Sequence, residues 1–159
     1  MNPTKNNMPL ELRSRVCDLM SERLADLIDL RTHAKQAHWN VKGPNFIALH
    51  KLFDEVSEAM EEHVDTLAER IVMLGGSANG TVQSVAPRTT LPVYPLGITS
   101  GYDHCDALSS SLASLGKLVR EAIDVSDEAG DADTADIFTA ISRSADLYLW
   151  FVESHLQTS

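Results

Sequence analysis

Residues 38–76 read HWNVKGPNFIALHKLFDEVSEAMEEHVDTLAERIVMLGG. Apolar residues recur every three or four positions through this stretch, at Phe46, Leu49, Phe53, Val56, Met60, Val64, Leu67, Ile71 and Leu74. This period predicts one long helix from Asn45 to Leu74 that buries a continuous apolar seam. Gly43-Pro44 predicts a turn before the helix, and Gly75-Gly76 predicts its C-cap.

Three further helical patterns account for most of the remaining chain. The first begins after Pro9 and reaches His38, the third runs from about Tyr102 to near Gly130, and the fourth from around Asp133 through Val152. Residues 75–101 are rich in Gly, Pro, Ser and Thr, and we expect a short helix near Val82–Val85. A connection of this length can span the second helix, about 45 Å long, so the sequence predicts an all-α four-helix bundle with a long crossover between its second and third long helices.

Composition limits the class of protein. A chain of 159 residues is the size of one domain, which we place at residues 10–156 after a short flexible N-terminal tail, residues 1–9. The formal charge of −10 argues against nonspecific attraction to nucleic acid. No apolar run is long enough for a membrane span, and the first fifteen residues lack the apolar region of a signal peptide. Cys17 and Cys105 have unrelated contexts, so we expect no disulfide framework and a cytoplasmic location, with nucleoid association as the alternative.

Four potential metal ligands lie on one stripe of the second helix. His50 and Asp54 are four residues apart, as are Asp65 and Glu69, so each pair shares a face. Asp54 and Asp65 are eleven apart, about 20° past three full turns, but they are separated by about 16 Å along the axis. Metal–ligand bonds are only ~2 Å long, and paired metals sit ~4 Å apart. The pattern therefore predicts two half-sites that close only against an antiparallel second copy of the helix, in a two-fold dimer.

His38 ends the first helix and can reach the same half-site as His50 and Asp54 across the short turn. Imidazole and carboxylate together suit divalent first-row metals, iron in particular for redox chemistry. The competing interpretation is that the charged pairs are solvated and that His38 is a core histidine bonded to a backbone carbonyl. No histidine is preceded by Glu three residues earlier, so an intrachain di-iron centre built from Glu-x-x-His motifs is not expected.

Several motifs together resemble one family. They are His38-Trp39-Asn40-Val41 with Gly43-Pro44 and Phe46, Leu49-His50, Phe53-Asp54-Glu55, Asp65 with Ala68-Glu69-Arg70, Gly75-Gly76, Asp133-Thr134-Ala135-Asp136, Leu149-Trp150-Phe151 and Glu153-Ser154. This set closely resembles the Dps family of mini-ferritins, and the resemblance covers nearly the whole chain, from about Leu10 to Leu156.

The resemblance implies a ferritin-like four-helix subunit assembled as a hollow dodecamer. It also implies di-iron ferroxidase centres shared at two-fold interfaces, with His38, His50 and Asp54 from one subunit and Asp65 and Glu69 from its partner. The implied reaction is oxidation of Fe(II), preferentially by hydrogen peroxide. Storage of a ferric mineral would follow and would protect DNA from oxidative damage.

Three residue groups carry open alternatives under the same resemblance. Trp39 corresponds to a tryptophan that accepts oxidising equivalents near the centre, and interface packing is an equal interpretation. Asp131 and Asp136 resemble residues that line iron-entry pores at three-fold axes, with helix capping as the alternative. Arg70 is either an outer neighbour that neutralises ligand carboxylates or a member of a surface ion pair.

Direct DNA binding is expected to be weak or absent. Only Lys5 is positive before the first helix, and twelve copies of a −10 chain carry a formal charge of about −120. A nucleoid-associated structural protein with secondary iron chemistry is the rival function. A non-catalytic helical bundle is the third.

Overall fold

The computed structural model describes residues 1–157, and within them the chain is helical. In order, the helices are α1 (Leu10–Asn40), α2 (Phe46–Met73), the short α3 (Val82–Val85), α4 (Gly101–Glu128) and α5 (Ala132–Glu153). The predicted all-α bundle is confirmed, including the short helix in the crossover. The predicted ends of the long helices differ from the observed ones by one or two residues.

The four long helices pack as two hairpins, α1 with α2 and α4 with α5. Helix α1 also packs against α4, and α2 against α5, which closes the bundle. The core between them is built from large side chains with no exposed surface, among them Met20, Leu24, Leu27, Leu30, Phe53, Met60, Leu67, Leu108, Leu112 and Phe138. The apolar period of residues 46–74 therefore marks the buried seam of α2.

The crossover carries the chain along the bundle so that α2 and α4 start at the same end. Lys42, just before α2, donates its backbone N–H to the Thr99 carbonyl at 2.8 Å, just before α4. Side chains of α1 fix the path between: Asp26 accepts from the Thr90 N–H at 2.7 Å, and Asp29 from the Thr89 hydroxyl at 2.7 Å. These hydrogen bonds hold the crossover against α1.

Glycine ends α2 as the sequence predicts. Gly75 has a φ of +91°, a left-handed conformation that side chains with a Cβ rarely adopt. The Gly76 N–H then returns to the Ile71 carbonyl at 2.8 Å, which satisfies one of the carbonyls left free at the helix end.

The N-terminal residues lie against this same helix end. The Asn2 N–H donates to the Gly75 carbonyl at 2.6 Å. The buried guanidinium of Arg13 donates to the Leu74 carbonyl at 2.9 Å and to the Met8 carbonyl at 3.0 Å. Flexibility of residues 1–9 stays a prediction, but part of this segment has specific hydrogen-bond partners.

Two other predictions concern the described residues. Cys17 and Cys105 are both free and buried. None of the helices within residues 1–157 is long and apolar enough to cross a membrane.

Candidate metal centre

The short turn between α1 and α2 brings two histidines into contact. His38 lies at the end of α1 and His50 in the second turn of α2, and their rings stack with centroids 3.8 Å apart. Nδ1 of His38 is 2.7 Å from the His50 carbonyl oxygen, and Nδ1 of His50 is 2.8 Å from the His38 carbonyl oxygen. Each histidine is therefore fixed by the backbone of the other.

These contacts also determine which nitrogen of each imidazole ring carries the proton. A carbonyl oxygen only accepts, so both Nδ1 atoms carry the proton and donate. In the neutral imidazole the lone pair is then on Nε2, the usual arrangement of a histidine that binds a metal through one nitrogen and is oriented through the other. The competing interpretation of His38 as a histidine bonded to a backbone carbonyl is correct for Nδ1, and it leaves Nε2 available.

Asp54 lies one turn beyond His50 and is paired with Lys35 of α1, both side chains being about one-third exposed. The hydrogen bond from Lys35 lowers the pKa of Asp54, and the nearby His38 and His50 act in the same direction. Asp54 is consequently ionised at neutral pH, and its carboxylate is paired with the Lys35 ammonium group. The first half of the predicted centre is thus His38, His50 and Asp54 with Lys35 as the counter-ion.

Asp65 and Glu69, the predicted second half of the centre, are both exposed on α2. Within residues 1–157 no group of three or more His, Cys, Asp or Glu side chains is close enough to hold a metal ion. The chain thus brings His38 and His50 into contact, with Asp54 one turn along α2 from His50, and leaves Asp65 and Glu69 apart from them. Closure by a partner copy is still a prediction.

Three large apolar side chains are exposed on α1 and α2 near the predicted ligands. Trp39 is 69% exposed, Ile47 61% and Val72 57%. A surface cavity of about 570 Å³ opens beside Trp39 and is lined by residues that include Arg31, Lys35, Trp39, Glu58, Glu61 and Tyr94. Such exposure suits the interface-packing interpretation of Trp39.

Arg70 and Asp131 form an ion pair at the start of α5. The Arg70 guanidinium donates to Asp131 at 2.7 Å and to the Thr134 hydroxyl at 3.1 Å. Asp131 is buried and also caps α5, because its carboxylate accepts from the Thr134 N–H at 3.1 Å. The capping interpretation is correct for Asp131, whereas Asp136 is exposed and its place at a pore stays a prediction.

Sequence reasoning missed two charged neighbours of the half-sites. Lys35 precedes His38 by three residues and therefore lies on the same face of α1, a spacing that would have identified it. Arg31 lies one turn further back and pairs with Glu61 of α2. Its partner is thirty residues away in the chain, which no local spacing reveals.

Comparison with known proteins defines the class first. A family model described as a ferritin-like domain matches residues 17–159, so the bundle with its crossover is that of ferritin-like proteins. The chain is 50% identical to the DNA protection during starvation protein of Agrobacterium fabrum over 154 residues, which covers 97% of this chain and 95% of that protein.

Similarity to solved structures identifies the family within this class. The chain superimposes on a Mycobacterium smegmatis Dps with a TM-score of 0.93 at 29% identity, covering 99% of this chain and 96% of that one. It superimposes on DpsC from Streptomyces coelicolor with a TM-score of 0.94 at 30% identity, covering 100% and 92%. The chain belongs to the Dps family of ferritin-like proteins.

Proposed function

We propose that this protein is a Dps-type ferroxidase and iron-storage protein whose centres form only between two subunits. The observation that carries the proposal is the reciprocal fixation of His38 and His50 beside Asp54, together with Asp65 and Glu69 on the same stripe of α2. Each centre takes His38, His50 and Asp54 from one subunit and Asp65 and Glu69 from the partner. Twelve subunits build the shell that stores ferric mineral.

The residues divide the work by chemistry. The two imidazoles supply neutral nitrogen ligands, and the carboxylates supply hard oxygen ligands that stabilise Fe(III) more than Fe(II). Two Fe(II) ions, the substrate, each lose one electron, and one hydrogen peroxide molecule takes both electrons and two protons to give two water molecules. Because both reagents of hydroxyl-radical formation are consumed, DNA in the same cell is protected without being bound.

Peroxide is the preferred oxidant in this proposal, and the family resemblance supports that preference. Rapid mixing of the apo-protein with Fe(II) and either peroxide or oxygen measures it through the near-ultraviolet absorbance of Fe(III). A faster reaction with peroxide is expected. Equal rates would remove the preference but leave the ferroxidase.

The site assignment is tested with a matched pair of variants. D65A/E69A should lose most of the rapid Fe(II) oxidation, because the centre keeps only its histidine half. D124A/E128A removes an exposed Asp and Glu four residues apart on α4 and should oxidise iron like the parent. Unchanged oxidation by D65A/E69A would show that these carboxylates are not ligands.

Complementation tests whether the centre is shared. H50A/D54A and D65A/E69A subunits are each inactive in this proposal, but a mixed dimer regains one complete centre. Random pairing makes about half of all dimers mixed, with one of two centres intact, so co-assembly should restore roughly a quarter of the parent activity. No recovery in verified mixed assemblies would place the centre elsewhere.

Direct DNA binding is not part of the proposed function. The chain carries −10 formal charge, so a dodecamer presents a strongly negative surface to phosphate. Gel-shift titration of linear DNA at ~150 mM salt should show no retention by the assembled protein. Retention at that salt would favour the nucleoid-associated alternative. The proposed location is the cytoplasm.

A further inference from the structure

The exposed stripe of α2 contains more than the four ligands. Glu58 and Glu61 lie on it between Asp54 and Asp65, and Ile47 and Val72 lie on it beyond His50 and Glu69. At about 100° per residue, all eight side chains fall within about 50° of one line along the helix. The two apolar members are more than half exposed, although each belongs to a type that is usually buried.

The stripe is self-complementary about its middle. If Asp54 faces Asp65 of the partner subunit across an antiparallel pair, every residue faces the one whose number completes a sum of 119. His50 then faces the partner's Glu69, as the proposed centre requires. The same register places Ile47 against the partner's Val72 at both ends, and the ligand pairing does not require these two residues to be apolar. An apolar contact at each end supports the register independently.

At the two-fold axis this register creates an electrostatic conflict. Glu58 faces the partner's Glu61, and symmetry repeats the pair, so four carboxylates meet near the axis. Carboxylates that face each other across the two helices repel and oppose association. Arg31 of α1 places a positive charge beside this position, because its guanidinium pairs with Glu61 in the same chain.

Arg31 has capacity for a second carboxylate. Its guanidinium has five N–H donors, and the Glu61 contact uses one nitrogen, Nη1. More than a third of its side chain is exposed, and it lines the same cavity as Glu58. A carboxylate that meets Glu61 from outside therefore also meets the guanidinium.

We propose that Arg31 joins two copies of this chain at the two-fold axis, where it pairs at once with its own Glu61 and with Glu58 of the partner subunit. Two such links reduce the charge at the axis from −4 to −2 and fix the register of the two α2 helices. The inference rests on the proposed shared centre only for the alignment of Asp54 with the partner's Asp65. It adds an assembly contact that binds no metal.

Cysteine cross-linking tests the register without any iron. Residues 47 and 72 are about 38 Å apart within one helix, so a disulfide between them can only join two chains. I47C/V72C should form covalent dimers under mild oxidation on a non-reducing gel, while I47C and V72C alone should not. K51C/V72C, shifted by one turn, should link at least tenfold more slowly. Faster linking by K51C/V72C would overturn the register.

A double-mutant cycle tests the Arg31 link. R31Q and E58Q should each raise, about tenfold, the protein concentration at which half of the assembly dissociates. The double variant R31Q/E58Q should dissociate at a concentration no higher than that of either single variant. If Arg31 served only Glu61, E58Q would relieve repulsion and strengthen assembly, which would overturn the proposal. Additive effects of the two substitutions would also overturn it. Fe(II) oxidation by the parent protein is measured in parallel. A parent that does not oxidise iron but shows the coupling between Arg31 and Glu58 would refute the proposed function alone.

Discussion

His38 and His50 hold each other in place, because each ring donates from Nδ1 to the backbone carbonyl of the other. Neither ring depends on a separate orienting side chain. The consequence is a two-residue unit in which the loss of one histidine removes a metal ligand and also the ring that stacks on the other at 3.8 Å.

The first prediction follows from this reciprocity. H38A and H50A should each weaken Zn(II) binding by the assembled apo-protein nearly as much as H38A/H50A does. The physical reason is that the remaining ring loses its stacking partner along with a neighbouring ligand. Isothermal titration calorimetry measures the affinities, and H155A, which removes an exposed histidine, is the control. Strictly additive losses would show two independent ligands.

A second prediction concerns Lys35, which holds Asp54 before any metal arrives. K35Q should bind Zn(II) about three- to tenfold more tightly, because a partly exposed ion pair of roughly 1 kcal/mol no longer competes and a neighbouring positive charge is gone. K117Q, at an exposed lysine of α4, should bind like the parent. Weaker binding by K35Q would mean that the lysine orients the carboxylate for the metal.

The local sequence pattern predicted much of this fold. The apolar period of residues 46–74 is set by the buried seam of α2, and Gly75 is where the chain needs a positive φ. Both are short-range requirements that a reader of the sequence can recognise. The crossover was predicted for the same reason, since its composition excludes a long helix.

The electrostatic neighbours could not be predicted in this way. Arg70 and Asp131 are sixty-one residues apart, and the contact exists only because the start of α5 packs beside the end of α2. The acidic residues of that turn, Asp131 and Asp136, indicated a helix cap and a pore lining equally well. Burial of Asp131 decided for the cap.

Asp131 supplies the third prediction. D131A should destabilise the subunit by about 3 kcal/mol, because it removes the α5 cap and leaves the largely buried Arg70 guanidinium without its carboxylate. D131N keeps a capping oxygen and should lose roughly half as much. Urea unfolding at one protein concentration measures both, with D136A as the exposed control. If D131N is as unstable as D131A, the ion pair alone matters.

His104 supplies a prediction about pH. Burial lowers its pKa below the usual 6.5, and its Nδ1 lies within hydrogen-bond distance, 2.8 Å, of the Tyr94 hydroxyl. The unfolded chain therefore binds a proton more readily than the folded one, so the His104 contribution to stability is lost as the pH falls below about 6.5.

H104Q can still hydrogen-bond to the Tyr94 hydroxyl but cannot titrate. Between pH 7 and pH 5, its free energy of unfolding should fall by about 1 kcal/mol less than that of the parent. Chemical denaturation across this pH range gives the two slopes, and H155Q should show the slope of the parent. A parallel decline in H104Q and the parent would show that other groups carry the acid sensitivity.

Trp39 allows assembly to be followed directly, because more than two-thirds of its surface is exposed in the separate subunit. In the W150F background it is the single tryptophan, and its emission should shift to shorter wavelength on assembly as the indole leaves water. Acrylamide quenching should fall about threefold at the same time. W39F reports Trp150 and serves as the comparison. If Trp39 keeps the emission of a solvated indole in the assembled protein, interface packing is wrong and the electron-accepting role is its remaining interpretation. Mass spectrometry of the indole after turnover with Fe(II) and peroxide then tests that role.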